Sequence, residues 1–143
     1  MKLNTMAAVM SFVSKIESDS ASFYEGHAEK YPELKDIFLT WARENRKFEK
    51  QVKRTYFGVI TDTLESNYCF ETLDSEKYEF QTTLAEGADR SEAANRARKI
   101  EETIKSFYSE AARLSESLMA DIPRLFKKIA KKREERSQSL ESL

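Results

Sequence analysis

The sequence predicts an all-α fold, a four-helix bundle made of two helical hairpins joined by a long crossover. Three observations carry this. Apolar residues recur three and four apart over four long stretches, the spacing that gathers them on one helix face. Only three Gly and two Pro occur in 143 residues, too few for the many turns of an all-β protein. The stretch Lys15 to Ala28, KIESDSASFYEGHA, returns 84 residues later as Lys99 to Ala112, KIEETIKSFYSEAA, with seven of fourteen aligned positions identical. Unrelated segments would share about one, so the chain reads as two copies of one unit.

The first helix is expected from Asn4 or Thr5, either of which can cap it, to about Lys30. Its stripe is Met6, Val9, Met10, Val13, Ile16, Phe23, Tyr24 and Tyr31, and Glu17, Ser20 and His27 share that face. Pro32 suits the first turn of a second helix running to about Phe57, before Gly58. The second stripe reads Leu34, Phe38, Trp41, Asn45, Phe48, Val52 and Thr55, with the polar Asn45 in its middle. The short link at Tyr31 makes an antiparallel hairpin. Residues 58–90 lose the period but keep Tyr68, Phe70, Tyr78 and Phe80, which predicts a crossover with short helical turns packed on the bundle. A third helix starts near Ser91, capped by Asp89 or Ser91, and runs to about residue 120, with Glu101 and Tyr108 on its stripe and Leu118 at its end. The fourth spans about 122–140, with Arg133 and Arg136 where the spacing asks for core. The length suits a single domain, 1–143, divided as hairpin 1–57, crossover 58–90 and hairpin 91–143.

Composition narrows the function classes. Hydrophobic residues at 40% and charged residues at 34% fit helices with solvated outer faces rather than a disordered chain. A net charge of −1 provides no overall field for nucleic acid or an anionic membrane. One cysteine, Cys69, excludes an intrachain disulfide and a Cys-based zinc or iron–sulfur site; it fits a reducing cytoplasm. No apolar run reaches the length of a membrane span. Met6 to Val13 is apolar but keeps helical register onward, so it reads as the start of a mature helix rather than a leader.

The chemistry, if any, centres on Glu17 and Glu101. Each lies on a buried-looking stripe, six residues before a Phe-Tyr, at the same place in its repeat. A carboxylate there is costly unless it meets a cation. In di-iron carboxylate bundles two helices each supply a Glu and the other two each supply Glu-x-x-His. The first hairpin, from Ile16 to Lys50, resembles that of a rubrerythrin-like protein of the ferritin-like superfamily, in which Glu is followed by Phe-Tyr, then by a leucine-alanine and Glu-Glu-x-x-His. Trp41-Ala42-Arg43-Glu44-Asn45-Arg46-Lys47-Phe48 aligns with that last part, and the family's Glu and His ligands fall on Asn45 and Phe48. In the second half Ile129-Ala130 matches the leucine-alanine, and the ligands fall on Arg133 and Arg136.

The resemblance implies a ferritin-like bundle, a tendency to dimerise and, for metal-bearing relatives, peroxidase or oxygen-handling activity. Of six ligands it implies, only Glu17 and Glu101 remain. A phenyl ring cannot ligate, and a guanidinium puts positive charge where iron would sit. His27 lies ten residues from Glu17, roughly 15 Å along the axis, too far to share a first shell. No cofactor is therefore expected. Iron or manganese would be the metal at a surviving site on Glu17, Glu101 and Glu44. The expected function is a non-catalytic structural or interaction protein, as a homodimer in the cytoplasm, with Glu17 and Glu101 paired to Arg133, Arg136 and Asn45. The alternatives are a metal-binding oxidoreductase with an atypical site and an RNA-associated module using the basic run Arg124 to Arg136. Nucleic acid is the less expected partner.

Overall fold

The computed structural model of the chain describes residues 1–59, 70, 72–116 and 121–143. Among them are four long helices: α1 (Met6–His27), α2 (Lys35–Val59), α3 (Arg90–Leu114) and α4 (Asp121–Glu141). A short 3-10 turn spans Ser75–Tyr78. The only strand-like pairing among the described residues is a single bridge between Lys2 and Asp74. The all-α, four-helix expectation holds at that level. Tyr68, Cys69 and Leu118 lie outside the described residues.

Thr5 is the α1 cap, in extended backbone with its hydroxyl accepting from the Ala8 N–H at 3.0 Å. Asp89 caps α3 in the same way on the Glu92 N–H at 2.9 Å. Each satisfies a backbone donor that the first helical turn leaves without a partner. Three boundaries differ from expectation. Helix α1 ends at His27 rather than Lys30, and Pro32 is not in the first turn of α2. Pro32 instead opens a turn closed by Leu34 N–H to Tyr31 C=O at 2.8 Å, and α2 begins at Lys35. Tyr31 and Leu34 are both buried, so the chain seats two anchors before it coils again. Helix α2 also continues through Gly58 to Val59. A single glycine costs a helix only about 1 kcal/mol and does not end one by itself. Helix α3 stops at Leu114, well short of residue 120, where the buried Ser115 turns its hydroxyl onto the Ala112 carbonyl at 3.2 Å. That bond competes with continuation of the ladder. Pro123 is the third residue of α4, where its missing N–H has no intrahelical role.

Side-chain contacts fix the helix directions. Tyr24 of α1 reaches Glu101 of α3, and Tyr108 of α3 reaches Glu17 of α1. Each tyrosine follows the glutamate of its own helix by seven residues, so the crossed pairing requires α1 and α3 to run antiparallel. Helices α1 and α2 pack as one hairpin and α3 and α4 as the other. On the far side, Arg136 of α4 meets Trp41 and Asn45 of α2, while Phe126 and Ile122 meet Val52 and Thr55. Helices α2 and α4 are therefore antiparallel too. The described part of the crossover starts beside the chain's first residues, where Leu3 N–H bonds the Leu73 carbonyl at 2.7 Å. It ends beside the end of α1, where the Tyr31 hydroxyl bonds the Ala88 carbonyl at 2.8 Å. It thus runs the length of the α1/α3 pair, with the 3-10 turn against α3.

The repeat has a structural meaning. Of the seven identical pairs, Ile16/Ile100, Glu17/Glu101, Phe23/Phe107, Tyr24/Tyr108 and Ala28/Ala112 are buried in both copies, whereas Lys15/Lys99 and Ser22/Ser106 are exposed in both. The core has two aromatic ends. Phe23, Tyr24, Phe38 and Trp41 pack at one; Phe12, Phe107, Tyr108 and Phe126 pack at the other, with centroids 4.9–5.9 Å apart for neighbouring rings such as Tyr24–Phe38 and Phe23–Phe38. Between these ends lies a polar layer.

Candidate functional site

Each of the four helices supplies that layer. Glu17 and Ser20 come from α1, Asn45 from α2, Glu101 from α3, and Arg133 and Arg136 from α4, all with little or no exposure. Arg133 stands at the centre. Its Nη1 donates to both Glu101 oxygens, at 3.0 and 2.9 Å, and its Nη2 donates to Glu17 Oε1. Tyr24 donates to Glu101 Oε2 and Tyr108 to Glu17 Oε2. Arg136 sits one turn further along α4. Its Nη1 bonds Asn45 Oδ1 at 2.7 Å and Glu101 Oε2 at 3.4 Å; its Nη2 bonds Glu44 Oε1 at 2.9 Å and the Trp41 carbonyl at 3.3 Å. Asn45 Nδ2 then donates to the Ser20 hydroxyl at 2.8 Å, which donates to the Ile16 carbonyl at 2.6 Å.

Phe48 closes the layer. Its ring lies 5.6 Å from the Arg133 guanidinium carbon and 5.5 Å from that of Arg136, and Arg136 also lies 5.2 Å from the Trp41 ring. An aromatic face attracts a cation by about 0.5–2 kcal/mol, more where water is excluded. The Nε of each arginine is buried without a hydrogen-bond partner among the described residues.

The two glutamates differ electrostatically. Burial pushes the Glu17 carboxyl above its ordinary value, and Arg133 and the Tyr108 hydroxyl only partly offset this. Burial also opposes ionisation of Glu101, but Arg133, Arg136 and Tyr24 together outweigh it and hold that carboxyl below the ordinary value. Burial works against the charge on Arg133, and Glu101 and Glu17 overcome it, so the guanidinium stays protonated. Burial and the facing carboxylate raise both Tyr24 and Tyr108 well above the usual phenol value, which keeps them hydrogen-bond donors.

The arrangement does not fit a di-iron centre. All four oxygens of Glu17 and Glu101 are engaged by Arg133, Arg136 or a tyrosine. Asn45 gives its oxygen to Arg136, and Phe48 has no donor atom. Glu44, the third acidic candidate, is half-buried and holds Arg136 at the rim. No group of three or more His, Cys, Asp or Glu among the described residues has metal-holding geometry. His27 lies elsewhere, its Nδ1 2.8 Å from the Phe23 carbonyl and its ring 4.6 Å from the Phe23 ring.

The structure thus brings together Glu17, Glu101, Asn45, Phe48, Arg133 and Arg136 and leaves His27 out. Tyr24 and Tyr108 lie on the stripes that the spacing assigns to the core, but the spacing does not name the partners of their hydroxyls. The signal was present: a residue seven after a glutamate lies two turns along the same face, and an antiparallel copy carries it to the other glutamate. The bond between Asn45 and Ser20 left no such trace, because it depends on the register of two helices. Comparisons with protein-family models, curated proteins and solved structures gave no match. No described helix is long and apolar enough to cross a membrane.

Proposed function

We propose that the chain is a non-catalytic bundle of ferritin-like connectivity, rubrerythrin-related, in which an arginine–glutamate network takes the place of a di-iron centre. The observation that carries this is Arg133, bonded at once to the two glutamates that the repeat puts in equivalent positions. A guanidinium there supplies the positive charge that two buried carboxylates need. It does so from within the chain and leaves no oxygen of either glutamate free for a metal. The crossover running along the α1/α3 pair, with α1 and α3 antiparallel, supports the ferritin-like connectivity.

With its polar layer closed, the bundle's role is structural or lies in binding another protein, and a second copy is the expected partner. The apolar run Met6 to Val13 is largely covered within the chain. The crossover leaves a groove of about 730 Å³ against α1, lined by Leu3, Phe12, Ile16, Tyr78 and Phe80 among others, and this supports the dimer. The single cysteine supports a reducing, cytoplasmic location.

The test is elemental analysis of protein from cells grown with iron and manganese, paired with light scattering. The reading expects less than a tenth of an equivalent of either metal, and a dimer at tens of micromolar. A stoichiometric metal that survives dialysis refutes the replaced centre, and a monomer refutes the assembly.

A further inference from the structure

The net charge of −1 conceals a separation of charge across the bundle. The crossover lies outside α1 and α3, where Phe80 and Gln81 lie beside Lys15 and Asp19 of α1 and beside Lys99 and Thr103 of α3. Its described part is acidic, with Asp74, Glu76, Glu79, Glu86 and Asp89 against Lys77 alone. Helices α2 and α4 form the opposite side, and their solvent faces are basic. On α2, Arg43, Lys47, Lys50 and Arg54 are exposed at spacings of three and four, with no acidic residue among these positions. On α4, Arg124, Lys127, Lys128, Lys131 and Lys132 are exposed over little more than two turns.

The register puts these two rows side by side, since Val52 and Thr55 meet Ile122, Leu125 and Phe126, while Arg136 meets Asn45. Three cations of the α4 row pair with neighbouring carboxylates, Arg124 with Asp121, Lys127 with Glu116 and Lys132 with Glu135, but Arg43, Lys47, Lys50, Lys128 and Lys131 have no carboxylate within ion-pair distance among the described residues. One turn of helix separates successive cations in a row by about 5.4 Å, and packed helices stand about 8–10 Å apart. The result is a double track of positive charge, matched to an anion that repeats at similar intervals.

The partner's chemistry is narrowed by two further facts. A two-fold dimer through this face would set like charge against like, so a second copy is a poor occupant. Phe57, one turn beyond Lys53 and Arg54 on α2, is 65% exposed, with the Tyr56 ring 5.4 Å away. Tyr56 is half-buried against the core and backs the exposed Phe57 ring, and an exposed aromatic at the end of a basic track is an arrangement that stacks an unpaired base.

We infer that the α2/α4 face binds single-stranded nucleic acid, with Lys47, Lys50, Lys128 and Lys131 on phosphates and Phe57 stacked on a base. The inference is independent of the buried polar layer, which none of these residues touches.

Fluorescence anisotropy with a labelled twenty-nucleotide oligouridine tests it on the full chain. Four phosphate contacts give a log–log salt slope near −2.8, so affinity should fall about fiftyfold between 50 and 200 mM salt. The variant Lys47→Glu/Lys128→Glu should weaken binding at least tenfold. Lys15→Glu/Lys99→Glu makes the same charge change on the crossover side and should leave binding within about twofold. Phe57→Ala should weaken oligouridine but not polyphosphate, which has no bases. All these positions are exposed, and thermal melting confirms that the variants fold. Absence of binding by the wild type at 50 mM salt and tens of micromolar protein overturns the inference. So does equal weakening by the two double variants, or competition by polyglutamate as effective as by oligouridine, which would assign the face to an acidic protein.

Discussion

Arg133 is the residue on which the interior depends. It neutralises two carboxylates from different helices, so its removal leaves both buried and short of a partner. Breaking a buried pair in this way typically costs about 3–5 kcal/mol, whereas an exposed substitution stays within about 0.5 kcal/mol. Arg133→Ala should therefore lose several kcal/mol in urea denaturation while Lys131→Ala matches wild type; equal midpoints would mean that Arg133 is solvated. The two glutamates should also part company with pH. Glu101 titrates below its ordinary value of 4.5, so its stabilisation is present above that value and is lost as pH falls through the folded one. Glu17 titrates above 4.5, so its stabilisation is full at low pH and is lost as pH rises through the folded value. The advantage of wild type over Glu101→Gln should shrink on acidification from pH 7 to 4, and its advantage over Glu17→Gln should grow. Parallel pH profiles for the two variants would show that the glutamates are equivalent. The residue identities of this layer were legible in the sequence, because charge on a hydrophobic stripe is conspicuous. Which atom meets which was not, because a guanidinium can fork several ways and only the packed helices choose.

At the scale of the helix, the caps and stripes were readable and the ends were not. Thr5 and Asp89 act through a backbone donor three residues away, which is local chemistry. Pro32 and Gly58 misled for the opposite reason. Their local preferences are weak beside the burial of Tyr31 and Leu34 and the momentum of a helix already propagating through Phe57. Gly26 tests the same balance. It lies in the last turn of α1, exposed, and a β-carbon there would meet nothing within 4 Å. Gly26→Ala should stabilise the chain by about 0.5–1 kcal/mol, since glycine gives up more backbone freedom on folding than alanine. A fall in melting temperature would show that the end of α1 needs the smaller residue.

At the scale of the whole molecule, α1 and α3 carry two copies of one fourteen-residue stretch. The repeated glutamates and tyrosines make crossed bonds, and Asn45 and Phe48 on α2 and Arg133 and Arg136 on α4 complete the layer. The duplication was visible in the sequence as seven identities. The antiparallel relation of the copies was not, since the same identities suit parallel helices until Tyr24 is seen on Glu101. Charge separation was hidden for a similar reason: it needs two helix faces to be placed side by side. On the proposed reading, Arg133 and its neighbours fill ground where metal ligands would otherwise converge. The variant Asn45→Glu, Phe48→His, Arg133→Glu, Arg136→His tests it, because it would present four carboxylates and two imidazoles at the polar layer. Without metal the crowded carboxylates should raise one another's pKa and lower the melting temperature. Titrated with Fe(II) or Mn(II) in a differential scanning calorimeter, the variant should recover stability through binding to the folded state alone, and wild type should show no metal-dependent shift. A folded variant that gains no metal-dependent stability, or a wild type that gains as much as the variant, would contradict the claim.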